Sequence, residues 1–236
     1  MQGTDAGGMQ GTDAGASVVV VGGGGHARCL LEALEAQGIY TIAGVLDGHK
    51  PAGTPIAGEH KVIGDWSAAS IEAITAEGVT HAIVAIGDNA TRERVAAELA
   101  AAWPEIRFAV VVHPSATVSP SAQLGDGTVV FPGAVVHVGA RVGRHCIVNT
   151  RASLDHDGVM GDFAALAPGS TLSGNVFVGR GAWVGAGAVV IHGKTIGEHT
   201  VVGAGAVVVC DLPPLVVAFG SPAKPVRART ADEKFL

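Results

Sequence analysis

The stretch VVFPGAVVHVGARVGRHCIVNTRASLDHDGVM, residues 129–160, carries an aliphatic residue or methionine at every sixth position. The same spacing runs without insertion from Val112 to Val208, through seventeen consecutive hexads. Four positions after most of these residues stands a small residue, such as Ala134 or Ala140. A period of six drifts out of phase with an α-helix but keeps step with the two-residue alternation of a strand. The pattern therefore predicts a triangular parallel β-helix built from hexapeptide repeats.

Three hexads make one coil of 18 residues, so residues 18 apart are expected to stack at the strand spacing of about 4.8 Å. Residues 112–213 then form between five and six coils, and glycines such as Gly125, Gly143 and Gly161 are expected to turn their edges. Residues 214–236 break the hexads and are predicted to form a C-terminal cap or tail. A cap is needed because an open coil leaves strand edges unpaired.

The preceding part of the chain alternates strand and helix patterns, which favours a Rossmann-like α/β domain over residues 17–111. Residues 53–64 are expected to be a loop. Residues 1–16 contain the near-duplicate MQGTDAGG and MQGTDAGAS, and they are predicted to be a disordered tail. The predicted strands are 17–21, 41–46, 81–86 and 107–112, and the predicted helices are 26–37, 67–76 and 91–101.

Composition excludes several classes of partner. The chain of 236 residues has 15 Lys and Arg against 21 Asp and Glu, with no basic block, so nucleic acid and anionic membranes are poor partners. Its longest apolar runs are strand-sized, which argues against a membrane span. The three cysteines, Cys29, Cys146 and Cys210, are scattered, which predicts free thiols in a reducing cytoplasm and no zinc site.

A glycine-rich turn follows the first predicted strand. The sequence GGGGHA, residues 22–27, lets backbone amides face a ligand at the start of a helix, which is typical of a phosphate site. Asp47 ends the second strand, where it is either a ribose or base contact or a turn residue before Gly48. His26 is either a residue that begins the helix or a phosphate ligand.

One hexad, residues 154–158 (LDHDG), is unusually rich in ionisable groups. Asp157 can hold one imidazole nitrogen of His156 and raise its basicity, which predicts a general base; the alternative is a solvated turn. His192 lies two coils later, about 10 Å away if the coils stack directly, which is too far to share one zinc ion. Of the other histidines in the repeats, His113 is expected to be structural in the entry turn before Pro114, and His137, His145 and His199 are expected to be surface turn residues.

Positive charge gathers near the C-terminus, at Lys224, Arg227 and Arg229. These side chains either form a solvated tail or meet a phosphate-bearing ligand on the outside of the coils.

Eight segments in this order resemble the NeuD/PglD-type sugar acyltransferases over residues 18 to about 228. They are VVVVGGGGHA, GVLD, VAIGDN, HPSATVSPSA, VNTRASLDHDGVMGD, LAPGSTLSGNV, IGEHTVVGAGAVV and GSPAK. Within that family, GGGGHA, IGDN and LDHD are most like the GDP-perosamine N-acetyltransferases. The resemblance implies a left-handed β-helix that forms a homotrimer, with acetyl-CoA along the coils between neighbouring subunits and no metal. It also implies that the N-terminal domain holds a nucleotide-linked amino sugar.

The resemblance assigns roles to individual residues. It implies His156 as the general base with Asp157 as its orienting partner, and it implies that the backbone amide of Gly174 contacts acetyl-CoA. The other implied contacts are Gly24, Gly25 and His26 on the phosphates, Asp47 on the base or sugar of the nucleotide, Asn149 in the amino-sugar pocket, and Lys224 near the CoA phosphates. The family often has a second histidine nine residues after the base, where this chain has Ala165.

The expected reaction is acetyl transfer to the 4-amino group of a sugar linked to GDP, UDP or dTDP, by direct attack on the thioester. Cys146 occupies a small packing position of its hexad, so a covalent cysteine route is not expected. Two alternatives stay open from the sequence: O-acetylation of a sugar of the sialic-acid type, and a metal-dependent or non-catalytic β-helix.

Overall fold

The computed structural model describes residues 13–234. Its first part is a six-stranded sheet in the order β3-β4-β2-β1-β5-β6, in which all neighbouring strands are parallel except β3 and β4. The strands are β1 Ser17–Val21, β2 Thr41–Leu46, β3 Pro55–Ala57, β4 His60–Gly64, β5 Val79–Val84 and β6 Arg107–Phe108, and the helices are α1 Gly25–Gln37, α2 Ala68–Ala76 and α3 Asn89–Ala102. The Rossmann-like prediction is confirmed.

Strand β1 is the centre of this sheet, and helices cover both of its faces. Val18 and Val20 pack in the cluster that contains the leucines of α1, while Val19 and Val21 pack in the cluster that contains α2 and α3. All four valines are fully buried, as a continuous apolar run predicts for a strand covered on both faces.

Two expectations about the N-terminal domain are wrong. Residues 53–64 are not a loop, because β3 and β4 form an antiparallel hairpin whose second strand also pairs with β2. Residues 13–16 do not belong to a tail: Gly15 donates a backbone hydrogen bond to Ile39, and the Asp13 carboxylate lies 3.5 Å from Nε2 of His81. The rest of the predicted tail, residues 1–12, lies outside the described residues.

The second part is the predicted β-helix. Seventeen two-residue strands stack on three faces, and the second residue of each strand is the hexad position found in the sequence. The first face holds β7 Val111–Val112, β10 Val129–Val130, β13 Ile147–Val148, β16 Ala165–Leu166, β19 Trp183–Val184 and β22 Val201–Val202. The second face holds β8 Thr117–Val118, β11 Val135–Val136, β14 Ser153–Leu154, β17 Thr171–Leu172, β20 Val189–Val190 and β23 Val207–Val208. The third face holds β9 Gln123–Leu124, β12 Arg141–Val142, β15 Val159–Met160, β18 Phe177–Val178 and β21 Thr195–Ile196.

The pairing register confirms the 18-residue coil. Val130, for example, pairs with Val112 on one side and Val148 on the other. The inward side chains form one continuous core along the axis. Four-residue turns join the faces, and we call them the first corner (between the first and second faces), the second corner (between the second and third) and the third corner (between the third and the next first face).

The corner glycines serve two different purposes. At fourteen successive corners, from Gly127 to Gly205, the third turn residue has a positive φ angle, whether it is glycine or not. Gly125, Gly143 and Gly161 are at another position, and their φ angles are not positive. A Cβ at Gly143 would lie 2.7 Å from the amide nitrogen of Asp162. These three glycines are therefore needed for the close approach of successive coils rather than to turn the chain.

A C-terminal hairpin follows the last coil. Strand β24, Val216–Gly220, continues the first face in parallel, and β25, Ala223–Ala228, adds to it in antiparallel orientation. The ring of Phe219 lies directly over Gly203, where a Cβ would come within 1.8 Å of it. The hairpin thus covers the end of the coil stack.

The two parts meet at the first face, at the third corner and at Phe131 in the first corner. Predicted strand 107–112 is in fact two strands: β6 ends the N-terminal sheet, and β7 begins the first face of the β-helix. The side chain of Asn89 donates hydrogen bonds to the carbonyls of Gly181 and Ala182 in the third corner. No helix within residues 13–234 is long and apolar enough to cross a membrane.

A buried arginine stabilises this joint between the two parts of the molecule. Arg92 is 1% exposed, and burial lowers the pKa of its guanidinium to about 10, so it remains charged at neutral pH. It donates hydrogen bonds to five oxygens: the carbonyls of Ile86, Gly87, His145 and Phe163 and the side-chain oxygen of Asn89. Two of these acceptors belong to the β-helix, so one side chain holds both parts of the molecule.

We expect Arg92→Met to destabilise the protein by about 3 kcal/mol or more, because it leaves buried carbonyl groups without donors. Thermal unfolding at fixed protein concentration measures the effect. Arg94→Met is the matched control: Arg94 lies on the same helix, exposed and paired with Glu98, and its loss should change stability by no more than about 0.5 kcal/mol. Equal melting temperatures for the two variants would contradict this account of the joint.

Candidate active site

His156 lies in the second corner, between β14 and β15. Its Nδ1 atom is 3.0 Å from Oδ2 of Asp157, and its side chain is 44% exposed. The hydrogen bond to Asp157 raises the pKa of His156 above its ordinary value; partial desolvation opposes this, and the negative charges of Asp155 and Asp157 add to it. With Nδ1 engaged by the carboxylate, Nε2 is the nitrogen left to accept a proton.

Gly174 lies one coil above His156 and has no side chain at the point where the His156 ring lies. A Cβ at Gly174 would come within 2.2 Å of Nε2 of His156. The turn itself does not need this glycine, because Gly174 does not have a positive φ angle. The equivalent position in every other hexad from Pro120 to Ala204 carries a side chain. The glycine is therefore specific to the place where the histidine ring sits.

The backbone amide of Gly174 is a free donor. It makes no hydrogen bond within residues 13–234, whereas the amide of His156 at the equivalent turn position donates to the side chain of Asp155. An imidazole nitrogen and an unpaired N–H group therefore lie side by side on the surface of this corner.

His192 is closer to His156 than the sequence predicts. The two ring centroids are 5.9 Å apart, not about 10 Å, because no side chain separates them at Gly174. Among residues 13–234 no group of three or more His, Cys, Asp or Glu side chains is placed to hold a metal ion.

His145 is not a surface residue, contrary to expectation. It is 6% exposed in the third corner, stacked on Phe163 at 4.9 Å and in edge contact with Phe108. Burial, with a smaller contribution from the nearby charge of Arg92, lowers its pKa to about 4. The ring is thus a neutral part of the joint between the two domains.

Three other positions singled out in the sequence lie away from the second corner. Asn149 begins a turn of the first corner, where its Oδ1 accepts the amide of Thr150. Ala165 is 3% exposed on the first face, packed in the cluster shared with the N-terminal domain. Lys224 is exposed on β25, opposite Phe219. None of the three is in the same corner as His156 of its own chain.

The glycine turn lines a cavity of about 460 Å³. Helix α1 begins at Gly25, and its N-cap residue Gly24 offers no side chain to the free amides of the first turn. Both glycines are exposed, and space around Gly24 is open. Such a helix start is suited to an anion. The cavity also contains Trp66, from the connection between β4 and α2, and Thr91 and Arg94 of α3. No sequence pattern reveals these three residues as part of the cavity, because they come from distant positions of the chain.

His26 also lines this cavity and touches the β-helix. Its ring makes an edge contact with Phe131 at 5.3 Å, and its Nε2 is buried with no hydrogen-bond partner among the described residues. Burial lowers the pKa of His26 to about 4, with a smaller contribution from the charge of Arg92. The ring is therefore neutral at pH 7, and it can meet a phosphate only as a hydrogen-bond donor.

Asp47 holds the glycine turn in place. Its carboxylate accepts hydrogen bonds from the amides of Gly23, His49 and Lys50. Burial on its own would raise the pKa of Asp47, but these amides and the Lys50 charge lower it below the usual value. Most of its acceptor capacity is thus used within the protein, although it also lines the cavity.

Cys146 is a packing residue, as the hexad pattern predicts. It is fully buried, and burial raises the pKa of its thiol to about 12, so it does not form a thiolate at neutral pH.

Comparison with known proteins agrees with this architecture. The PglD N-terminal domain family matches residues 17–99. The chain is 40% identical to PerB from Caulobacter crescentus, solved in complex with CoA and GDP-perosamine; the match covers 89% of this chain and 97% of PerB with a TM-score of 0.81. The acetyltransferase domain of PglB from Neisseria gonorrhoeae FA1090, solved with acetyl coenzyme A, is 34% identical over 90% of this chain and all of that domain, with a TM-score of 0.81.

A curated relative matches a shorter stretch. The UDP-N-acetylbacillosamine N-acetyltransferase of Bacillus subtilis (strain 168) is 37% identical over 114 residues, which is 48% of this chain and half the length of that protein. The fold described above, an α/β domain followed by a β-helix, is thus shared with these two solved relatives over about nine tenths of this chain. The chain belongs to the NeuD/PglD-type sugar acyltransferases.

We expect Asp157→Asn to lower the pKa of His156 towards the ordinary value for histidine, because it removes the charged partner that raises it. Asparagine tolerates the positive φ angle of 56° at this position, so the backbone should not change. Titration of the His156 ring protons by NMR in wild type and variant measures the shift. An unchanged or higher pKa in the variant would show that Asp157 does not set the basicity of His156.

Proposed function

We propose that this protein transfers the acetyl group of acetyl-CoA to the 4-amino group of a nucleotide-linked sugar. The observation that carries the proposal is the arrangement of His156, its carboxylate partner and the free amide of Gly174 on one corner of the β-helix. The solved relatives support the two substrates: PerB binds CoA and GDP-perosamine, and the PglB domain binds acetyl coenzyme A.

The reaction needs no covalent enzyme intermediate. The amino nitrogen attacks the thioester carbonyl carbon, and Nε2 of His156 takes one amine proton while Asp157 stabilises the imidazolium. The Gly174 amide donates to the carbonyl oxygen as negative charge develops on it. The carbon–sulfur bond then breaks, and the imidazolium returns its proton to the thiolate, which leaves as CoA.

The nucleotide is proposed to bind in the cavity of the N-terminal domain. Gly24, Gly25 and His26 would contact its phosphates through N–H donors at the start of α1. Asp47 would approach the nucleoside while it holds the turn. The amino sugar would then extend along the first corner, because His26 touches Phe131, and Asn149 lies one coil above Phe131.

We also propose that the protein forms a homotrimer, and the same geometry supports this. Asn149 and His156 lie at different corners of one chain, so a neighbouring subunit would bring an Asn149 to each His156. Exposed apolar side chains support contacts between subunits on the second and third faces and the second corner: Val138, Phe177, Val189, Ile191 and Val209. The acetyl-CoA would lie between subunits with Lys224 near its phosphates.

We also propose a cytoplasmic location and a role in polysaccharide biosynthesis. The three cysteines are free in the structure, which suits a reducing compartment. An N-acetylated nucleotide sugar is an activated glycosyl donor, so a glycosyl transfer reaction would consume the product.

The proposed function is tested by release of free thiol from acetyl-CoA in the presence of GDP-, UDP- and dTDP-linked 4-amino sugars. We expect turnover with at least one of them, and a fall in kcat of about 10²- to 10⁴-fold in His156→Asn, which loses the general base. Sugars with a hydroxyl in place of the 4-amino group are the matched acceptors.

Two outcomes would contradict the proposal. Turnover of the hydroxyl sugars alone would indicate an O-acetyltransferase. Near wild-type turnover in His156→Asn, with the variant folded, would remove His156 from the mechanism.

We expect Gly174→Ala to lower kcat by about 100-fold or more without loss of the fold, because the added methyl group displaces the His156 ring and crowds the oxyanion site. Steady-state kinetics and thermal unfolding measure the two effects. Ala186→Gly changes the same turn position in the first corner and serves as the control for effects of the turn on stability. A fully active Gly174→Ala enzyme would refute the role given to this glycine.

A further inference from the structure

His192 has no structural task that the described residues reveal. It is exposed in the second corner, two coils above His156, and its side chain makes no hydrogen bond or ion pair within residues 13–234. Its ring nevertheless lies 5.9 Å from that of His156, across the gap that Gly174 leaves. Nothing in the repeat requires histidine at this position, where other corners carry residues as different as Pro168 and Glu198.

The three groups form a row along the coil axis. The first is the base, His156; the second is the free amide of Gly174; the third is the imidazole of His192. In the proposed reaction the carbonyl oxygen of the thioester lies at the middle group, and the attacking amine lies near the first. In the tetrahedral intermediate the sulfur and the amine nitrogen are bonded to the same carbon at a tetrahedral angle. With the amine directed towards His156, the sulfur can be directed towards His192, and because the two ring centroids are 5.9 Å apart it stays within reach of His156.

We propose that His192 binds the sulfur of the acetyl donor, donating an N–H hydrogen bond to it as the carbon–sulfur bond breaks. This inference rests on the proposed function. No proton leaves His192: the thiolate is protonated by the imidazolium of His156, and His192 only donates a hydrogen bond to the sulfur. The contact stabilises negative charge on sulfur, so it strengthens from the bound thioester to the thiolate, as a contact that accelerates the reaction must.

Kinetics of His192→Ala test the inference. We expect kcat to fall about 10- to 100-fold, the worth of one hydrogen bond to a charged group, with the KM for the amino sugar unchanged. His192→Gln, which keeps an N–H donor, should recover part of the loss. Glu198→Ala is the matched control, since it truncates an exposed side chain at the same turn position in the third corner.

Ligand binding provides a second readout that does not depend on the acceptor. Wild-type protein should bind CoA more tightly than desulfo-CoA in calorimetric titrations, and His192→Ala should bind the two with equal affinity. A variant that keeps both the wild-type kcat and the wild-type preference for CoA would overturn the inference. If wild-type protein releases no thiol with any amino sugar, the proposed function itself fails, which is a different result.

Discussion

The stacking of each coil one strand spacing above the last is the constraint on which the rest of the molecule depends. One aliphatic residue in six must point inward, and this requirement fixes the phase of every corner. Residues 18 apart then share a vertical column, so a side chain at one level meets whatever stands directly above it. The candidate active site is such a column: the ring of His156 can occupy its position only because residue 174 has no side chain.

The sequence alone predicts this repeat well because its contacts are periodic: each hexad repeats the environment of the hexad 18 residues away. Features that depend on contacts between unrelated segments are not predictable in the same way. The hairpin of β3 and β4 shows no strong alternation of apolar and polar residues. It forms because β4 pairs with the edge of the sheet at β2. His145 has the pattern of a turn residue but is buried by Phe108, which comes from the other domain.

The same distinction applies to the candidate site. The ionisable hexad at residues 154–158 identified His156 and Asp157, because the two are adjacent in the chain and their contact is local. Residue spacing predicts too large a distance between the rings of His156 and His192, because it does not encode ring directions. The role of Asp47 in holding the glycine turn, and that of Arg92 in joining the domains, depend on hydrogen bonds to backbone atoms that no sequence motif displays.

The C-terminal hairpin has a consequence for solubility. A stack of parallel strands at this spacing has the geometry of a growing fibril, and its last coil would be a template for further strands from other molecules. Strand β25 runs antiparallel to the stack, and it places Lys224, Pro225 and Arg227 along the outer edge. Pro225 lacks an N–H group that could donate to an added strand, and the positive charges of Lys224 and Arg227 repel those of a second copy. The residues that end the coils therefore also protect the protein against end-to-end aggregation.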